Sequence, residues 1–154
     1  MDAAEITRHF DSVSVCLSKG LGAPVGAVLC GSYSLIHKAR RWRKVLCGGM
    51  RQAGMLAAAG LYALEHQVAR LAEDHARAER LGQALAVLGL ATEPVQTNMV
   101  FVAVGERAGE LVRFLAGRGI VVGAAPVLRL VTHLDVSADG IERVVAAFAE
   151  FYRT

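Results

Sequence analysis

The chain has 154 residues, 54% of them hydrophobic and 20% charged, with a formal net charge of +3. That composition excludes a disordered chain and allows one core or two small ones, with an apolar interface besides. The charge is uneven: residues 1–60 carry eight Lys/Arg against three Asp/Glu, and residues 61–154 carry nine against eleven, so an anion is expected to meet the first part.

The three cysteines lack CxxC or metal-ligand spacing. They predict no metal site, and free thiols buried in apolar runs at Cys16 and Cys30, as befits a cytoplasmic protein. The longest uncharged run, Gly20 to His37, is broken by glycines and Pro24, so no membrane span is expected. No basic-then-apolar leader opens the chain, and a secretory signal is not expected either.

In chain order, residues 2–10 offer a short helical turn or a frayed end. The alternation of Val13, Val15 and Leu17 with Ser12, Ser14 and Cys16 predicts a strand. Lys19 stands at its end, and Gly20, Gly22, Pro24 and Gly26 fold the chain back into a second apolar run, Val25 to Cys30. Ser32 or Ser34 is placed to cap a helix through Lys44, with Leu35, Ile36 and Ala39 facing inward. Gly48 and Gly49 make a turn before a helix over residues 50–63. A stripe of Leu64, Val68, Leu71, Ala78, Leu81, Leu85 and Leu88 predicts one long helix over residues 64–89, with Gly89 as its stop. Its opposite face, Arg70, Glu73, Asp74, Arg77 and Arg80, reads as solvated. Strands are expected over 99–104, 120–122 and 127–133, a helix over 109–118, and a last helix capped by Ser137 with Ile141, Val144, Val145, Phe148 and Tyr152 on its inner face. The second half thus reads as a small α+β unit.

Only a few residues suggest chemistry. Lys19 is one of three lysines and the only one flanked by apolar sequence. An amine partly desolvated there loses its proton more readily and can condense with an aldehyde; a strand-end lysine snorkelling to water is the other reading. Gly20, Gly22 and Gly26 do not make a dinucleotide fingerprint, because the spacing is one residue too long and Pro24 sits where a helix should begin. Lys38, Arg40, Arg41, Arg43 and Lys44 surround Trp42. Cations at a helix C-terminus suit its dipole, and without a recognised nucleic-acid fold this cluster implies no nucleic-acid partner. Arg129 interrupts the apolar run Val127 to Val131, either on the solvent face of an edge strand or as a bidentate grip on a carboxylate.

Several stretches in register resemble the low-specificity L-threonine aldolases: Ser14 to Gly26, Arg41 to Lys44, Gly48 to Gly54, Gln96 to Met99 and Arg129 to Val136. The similarity runs from about Phe10 to the C-terminus. It implies an α/β chain: the C-terminal part of a pyridoxal-phosphate-dependent, fold type I subunit, with residues 1–66 belonging to the large cofactor domain and 67–154 forming a linking helix and small α+β domain. It also implies retro-aldol cleavage of a small β-hydroxy amino acid, L-threonine or L-allo-threonine, to glycine and acetaldehyde. Lys19 then matches the lysine that carries pyridoxal 5'-phosphate, and Arg129 the arginine that binds the substrate carboxylate. Lys44 and Arg51 match basic positions near the cofactor phosphate or substrate, reaching across an interface of a homo-oligomer, dimer or tetramer.

The resemblance implies absences too. The family's acid at the pyridine nitrogen, its ring-stacking histidine and most phosphate ligands are expected outside these residues. The alternative is therefore a non-catalytic fragment that dimerises or complements a separate N-terminal chain. His133 falls in a family stretch but reads as structural. Cys47 stands where a glycine is expected, which puts the geometry of that loop in question.

Overall fold

The computed structural model describes residues 2–90 and 92–153. It divides into two compact units, Met1–Ala69 and Arg70–Thr154. Among the described residues no helix is long and apolar enough to cross a membrane.

The first unit opens with α1, Ala3–Thr7, whose N-terminus is capped by Asp2 accepting from the Ala4 N–H at 3.1 Å. Strands β1 (Ser12–Cys16) and β2 (Ala27–Gly31) form an antiparallel hairpin in a register running from Ser12↔Gly31 to Cys16↔Ala27. An antiparallel return excludes a dinucleotide-binding βαβ unit, which needs parallel strands. Next come α2 (Tyr33–Val45), which lies against β2, and α3 (Gly54–His66). Ser32 is the residue that caps α2, its hydroxyl accepting from the Leu35 N–H at 3.3 Å. The core of this unit is small: Leu17, Ala23 and Ala63 are buried, with Leu21 packed against them. Cys16 and Cys30 are exposed rather than buried, because almost every residue of the hairpin is exposed on both of its faces.

The exit from α2 settles the geometry at Cys47. The Cys47 N–H donates to the Lys44 carbonyl at 3.1 Å and the Gly48 N–H to the Arg43 carbonyl at 2.8 Å, the paired bonds that close a helix through a left-handed residue. Cys47 is that residue, with φ of 60°. The turn that glycine would make without a Cβ penalty is made here by cysteine.

The second unit holds α4 (Leu71–Val87), β3 (Met99–Ala103), a 3-10 turn, α5 (Ala108–Ala116), β4 (Val127–Val131) and α6 (Ala138–Arg153). Strands β3 and β4 pair antiparallel from Met99↔Val131 to Ala103↔Val127. Val100, Val102, Leu128 and Leu130 are buried in one core with Leu81 and Leu85 of α4, Leu111 and Leu115 of α5, and Ile141 and Phe148 of α6. Gly89 ends α4 as expected, at φ 81°, its N–H bonded to the Ala86 carbonyl and that of Leu90 to the Leu85 carbonyl.

Four expectations fail between residues 64 and 133. The helix expected over residues 64–89 is two helices separated at residues 67–70, because its apolar residues do not share one core: Leu81 and Leu85 are buried, whereas Leu64 and Val68 are exposed. Ile120 to Val122 form no strand, and β4 ends at Val131; the 120–122 segment has no ladder partner. Asp74, read as solvated, is 1% exposed. Its carboxylate accepts two bonds from Arg70, at 2.9 and 2.7 Å, and lies 3.5 Å from the Arg77 guanidinium.

Candidate active site

Lys19 sits in the β1–β2 loop, which the backbone holds tightly. The Leu17 N–H donates to the Gly26 carbonyl at 2.9 Å, the Ala23 N–H to the Leu17 carbonyl at 3.0 Å and the Gly22 N–H to the Lys19 carbonyl at 2.8 Å. Gly22 and Gly26 take φ of 71° and 119°, values that a side chain would strain. Below the loop, Leu17 meets α3 where that helix has no side chain: a Cβ on Gly60 would stand 3.1 Å from the Leu17 Cδ1. The loop is therefore anchored through Leu17 and Ala23, and Lys19 is carried at its tip.

The expectation of a partly desolvated amine is corrected, for Lys19 is exposed. Only the neighbours on the buried face, Leu17 and Ala23, leave solvent. Lys19 makes no ion pair among the described residues. Its charge is nevertheless felt by Cys16, whose thiol is held below its ordinary value of 9.0, first by the hydrogen bond with the Ser18 side chain, then by the Ser18 backbone, with Lys19 adding to both. The Cys16 Sγ lies 3.5 Å from the Ser18 Oγ.

Around that loop the first unit is strongly cationic. From Ser12 to Leu64 the sequence holds seven Lys/Arg and no Asp or Glu. Lys44, in the last turn of α2, folds over the following loop, and a Cβ on Gly49 would stand 2.7 Å from its Nζ. Arg51 is exposed two residues beyond Gly49. Lys44 thus lies beside the backbone that leads to Arg51, while among the described residues no hydrogen bond joins either of them to Lys19.

Arg129 belongs to the second unit. Burial alternates along β4, so that Leu128 and Leu130 are buried while Val127, Arg129 and Val131 are exposed. Its opposite number on β3 is Phe101. Arg129 has no ion-pair or hydrogen-bond partner among the described residues. It lines an open cleft of about 500 Å³, with Ile120, Val122, Leu130, His133 and Arg143 among its other lining residues. An unpaired guanidinium on such a cleft can grip a carboxylate through two parallel hydrogen bonds. His133 is exposed, and its Nδ1 accepts from the Asp135 N–H at 3.3 Å.

Two groups that sequence reasoning missed stand just past the C-terminal end of β4, where Thr132 adjoins His133 on the same cleft. The Arg70 bond, ahead of the Arg70 and Arg77 charges, holds the Asp74 carboxyl below the ordinary carboxylate value. The flanking cations at i−4 and i+3 were the available signal. Thr132, 1% exposed, and Asn98 bond to one another. Both lie within the stretches that carry the family resemblance.

Comparison with known proteins defines the class. The protein provisionally assigned as the L-allo-threonine aldolase of Listeria monocytogenes superimposes with a TM-score of 0.77 at 22% identity, over 97% of this chain and 47% of that one. The serine palmitoyltransferase of Sphingomonas wittichii gives the same score at 21% identity, over 97% and 41%, and a serine palmitoyltransferase solved with pyridoxal phosphate gives 0.77 as well. The fold is thus the α/β fold of the pyridoxal-phosphate-dependent fold type I enzymes.

The family model for beta-eliminating lyases matches residues 1–107, and the chain belongs to that family. The low-specificity L-threonine aldolase of Escherichia coli K12 is 49% identical over 148 residues, which are 96% of this chain and 44% of that protein. The chain therefore spans less than half the length of the curated relatives it matches.

The serine palmitoyltransferase that shares this fold holds pyridoxal phosphate as an internal aldimine. The donor set of the first unit fits pyridoxal phosphate: a primary amine at the tip of an anchored loop for the aldehyde, and exposed cations without carboxylates among them for the phosphate.

Proposed function

We propose that this chain is the C-terminal part of a pyridoxal-phosphate-dependent aldehyde lyase that cleaves L-threonine or L-allo-threonine to glycine and acetaldehyde. The observation that carries the reading is Lys19 at the tip of its anchored loop, in a stretch holding cations and no carboxylates. The 49% identity to the Escherichia coli aldolase supports the choice of reaction.

Each residue then has a definite task. Lys19 binds the cofactor's aldehyde carbon through Nζ. Arg51 and Lys44 hold and orient anionic groups, Arg51 the phosphate and Lys44 the phosphate or substrate, across the interface of a homo-oligomer, dimer or tetramer. Arg129 takes the substrate carboxylate in two parallel hydrogen bonds and so orients the bonds at Cα. When bound, pyridoxal phosphate supplies the electron sink for breaking the Cα–Cβ bond. Residues 1–66 belong in this reading to the cofactor domain and 67–154 to the small domain, and the protein works in the cytoplasm.

A second reading is a non-catalytic piece that dimerises or complements a separate chain. Its support is that α3 carries no charged residue before Glu65 yet buries only Gly60 and Ala63, when a helix apolar all round belongs in an interior.

Titration of residues 1–154 with pyridoxal phosphate tests the first reading. A change in the cofactor's visible absorbance that disappears in Lys19→Ala is expected. A spectrum unaltered by the protein, or unaltered by the substitution, contradicts it. Size-exclusion mass measured alongside separates monomer from assembly. Acetaldehyde release from threonine by this chain alone should fall well below about 1 per second, the ordinary enzymatic range, since catalysis by positioned charges needs the rest of the site.

A further inference from the structure

The end of β4 is held by an arrangement that the proposed chemistry does not use. Thr132 is the residue after the strand, and its buried side chain continues the alternation of Leu128 and Leu130. An apolar side chain would satisfy that burial; instead the Thr132 hydroxyl donates to the main-chain carbonyl of Asp74 at 2.7 Å. Asn98 engages both sides of the Thr132 peptide: the Thr132 N–H donates to the Asn98 carbonyl at 3.0 Å, and Asn98 Nδ2 donates to the Thr132 carbonyl at 2.8 Å. Asn98 is presented by a tight turn, closed by the Gln96↔Met99 bridge, in which Thr97 has φ of 63°. A β-branched residue in the left-handed region is an outlier that surrounding structure must enforce. The receiving end on α4 is equally fixed, because the Asp74 carboxylate is tied by Arg70 and Arg77.

We infer that Asn98 and Thr132 are positioning residues: together they lock β4 in the register that presents Arg129 and His133 to the cleft. The reason a lock is needed lies in strand periodicity. A slip of one residue would turn Arg129 into the core and bring Leu128 and Leu130 out, and among the described residues β4 has a ladder partner, β3, on one edge only. The hydrogen bonds beyond the strand's last ladder pair, in which the Thr132 hydroxyl also lies 3.3 Å from the Asn98 carbonyl, exclude that slip. They also fix the backbone three residues from Arg129, so its guanidinium starts from one defined place. The functional half of this inference rests on Arg129 as the carboxylate-binding residue.

Amide hydrogen exchange by NMR on residues 1–154 is the test, with Thr132→Val, Thr132→Ser and Asn98→Ala. Valine keeps the shape and removes the donor, whereas serine keeps the donor. In Thr132→Val and Asn98→Ala the β4 amides should exchange at least tenfold faster relative to those of α5, and Thr132→Ser should restore them to within about twofold. Unchanged β4 protection overturns the inference. So does equal acceleration throughout the unit, or failure of Thr132→Val to fold, since either makes the bonds merely structural. Glycine serves as the carboxylate probe: the Arg129 Nε–H resonance should move on titration in the unsubstituted chain, and less in Thr132→Val. Absence of any movement in the unsubstituted chain would sink the carboxylate reading of Arg129 and leave the exchange data to decide the register lock by themselves.

Discussion

Among the described residues of the 70–154 unit, fifteen make one buried core, with Leu85, Leu111 and Phe148 at 0% exposure, and β3 and β4 turn a single face toward it. In the 1–69 unit the core is Leu17, Ala23 and Ala63, and Trp42, Met50, Met55, Leu61 and Tyr62 are exposed. The hydrophobic residues are not scarcer there; they are differently disposed. Area removed from water stabilises at about 25 cal/mol per Å², so the second unit has within itself the means to stay folded. The first leaves much of its apolar surface available to something else. The two proposed functions divide the same way: the cofactor amine lies on the unit with the thin core, and the carboxylate-binding arginine on the unit with the dense one. Precision at Lys19 therefore rests on local hydrogen bonds in its loop, while at Arg129 it rests on a packed sheet.

The largest contrast is expected from core truncation. Phe148→Ala should cost about 3–5 kcal/mol and lower the urea midpoint of the second unit's transition, whereas Leu29→Ala, at a half-exposed site in β2, should change stability by no more than about 0.5–1 kcal/mol. Equal effects would erase the distinction between the units.

Asp74 gives a smaller effect, and one that depends on pH. Replacing it by alanine removes the two charge-assisted bonds from the half-buried Arg70 and should cost about 1.5–3 kcal/mol. Because the folded-state carboxyl is held below its ordinary value of 3.8, the unfolded chain takes up the proton first as pH falls. The contribution of Asp74 is therefore complete above the ordinary value and is lost as pH drops through the lowered one. Denaturation curves between neutral pH and pH 2 should show this loss in the unsubstituted chain and a weaker one in Asp74→Ala.

Arg129→Ala should weaken carboxylate binding by about 1.5–3 kcal/mol, the size of a charge-assisted contact, without lowering the stability of the second unit, since its side chain is exposed. If kcat/KM in the assembled enzyme stays within about twofold, Arg129 is only a surface charge. The smallest effect is at the α2 exit: Cys47→Gly relieves a left-handed cysteine and should stabilise the first unit by about 0.5–1 kcal/mol, measurable as a small rise in its thermal midpoint.

Local patterns carried much of this architecture in readable form. The Ser32 and Ser137 caps, whose hydroxyls accept from the Leu35 and Gly140 N–H groups, the Gly89 stop and the α6 stripe each depend on a few neighbouring residues, and these were legible. What escaped depended on partners distant in sequence. Nothing in residues 67–70 marks a helix break, and a stripe counted by spacing does not reveal that Leu64 and Leu81 serve different cores. Asp74 looked like one charge on a polar face until Thr132, 58 positions away, met its carbonyl. The exposure of Lys19 and Cys16 was misread for a related reason, since an alternating strand implies a covered face and this hairpin has nearly none. Lys19 and Arg129 stand out by their apolar flanks and the resemblance chooses between their alternative readings, whereas Lys44 and Arg51 are legible through the resemblance alone.

Borohydride reduction tests the role of Lys19 directly. Residues 1–154 are mixed with one equivalent of pyridoxal phosphate, reduced, digested and mapped by mass spectrometry. The three lysines, Lys19, Lys38 and Lys44, are all exposed, so exposure alone would spread the label among them. The fixed cofactor is expected chiefly on the peptide containing Lys19; label shared evenly, or concentrated on Lys38 or Lys44, would contradict the assignment of Lys19 as the cofactor amine.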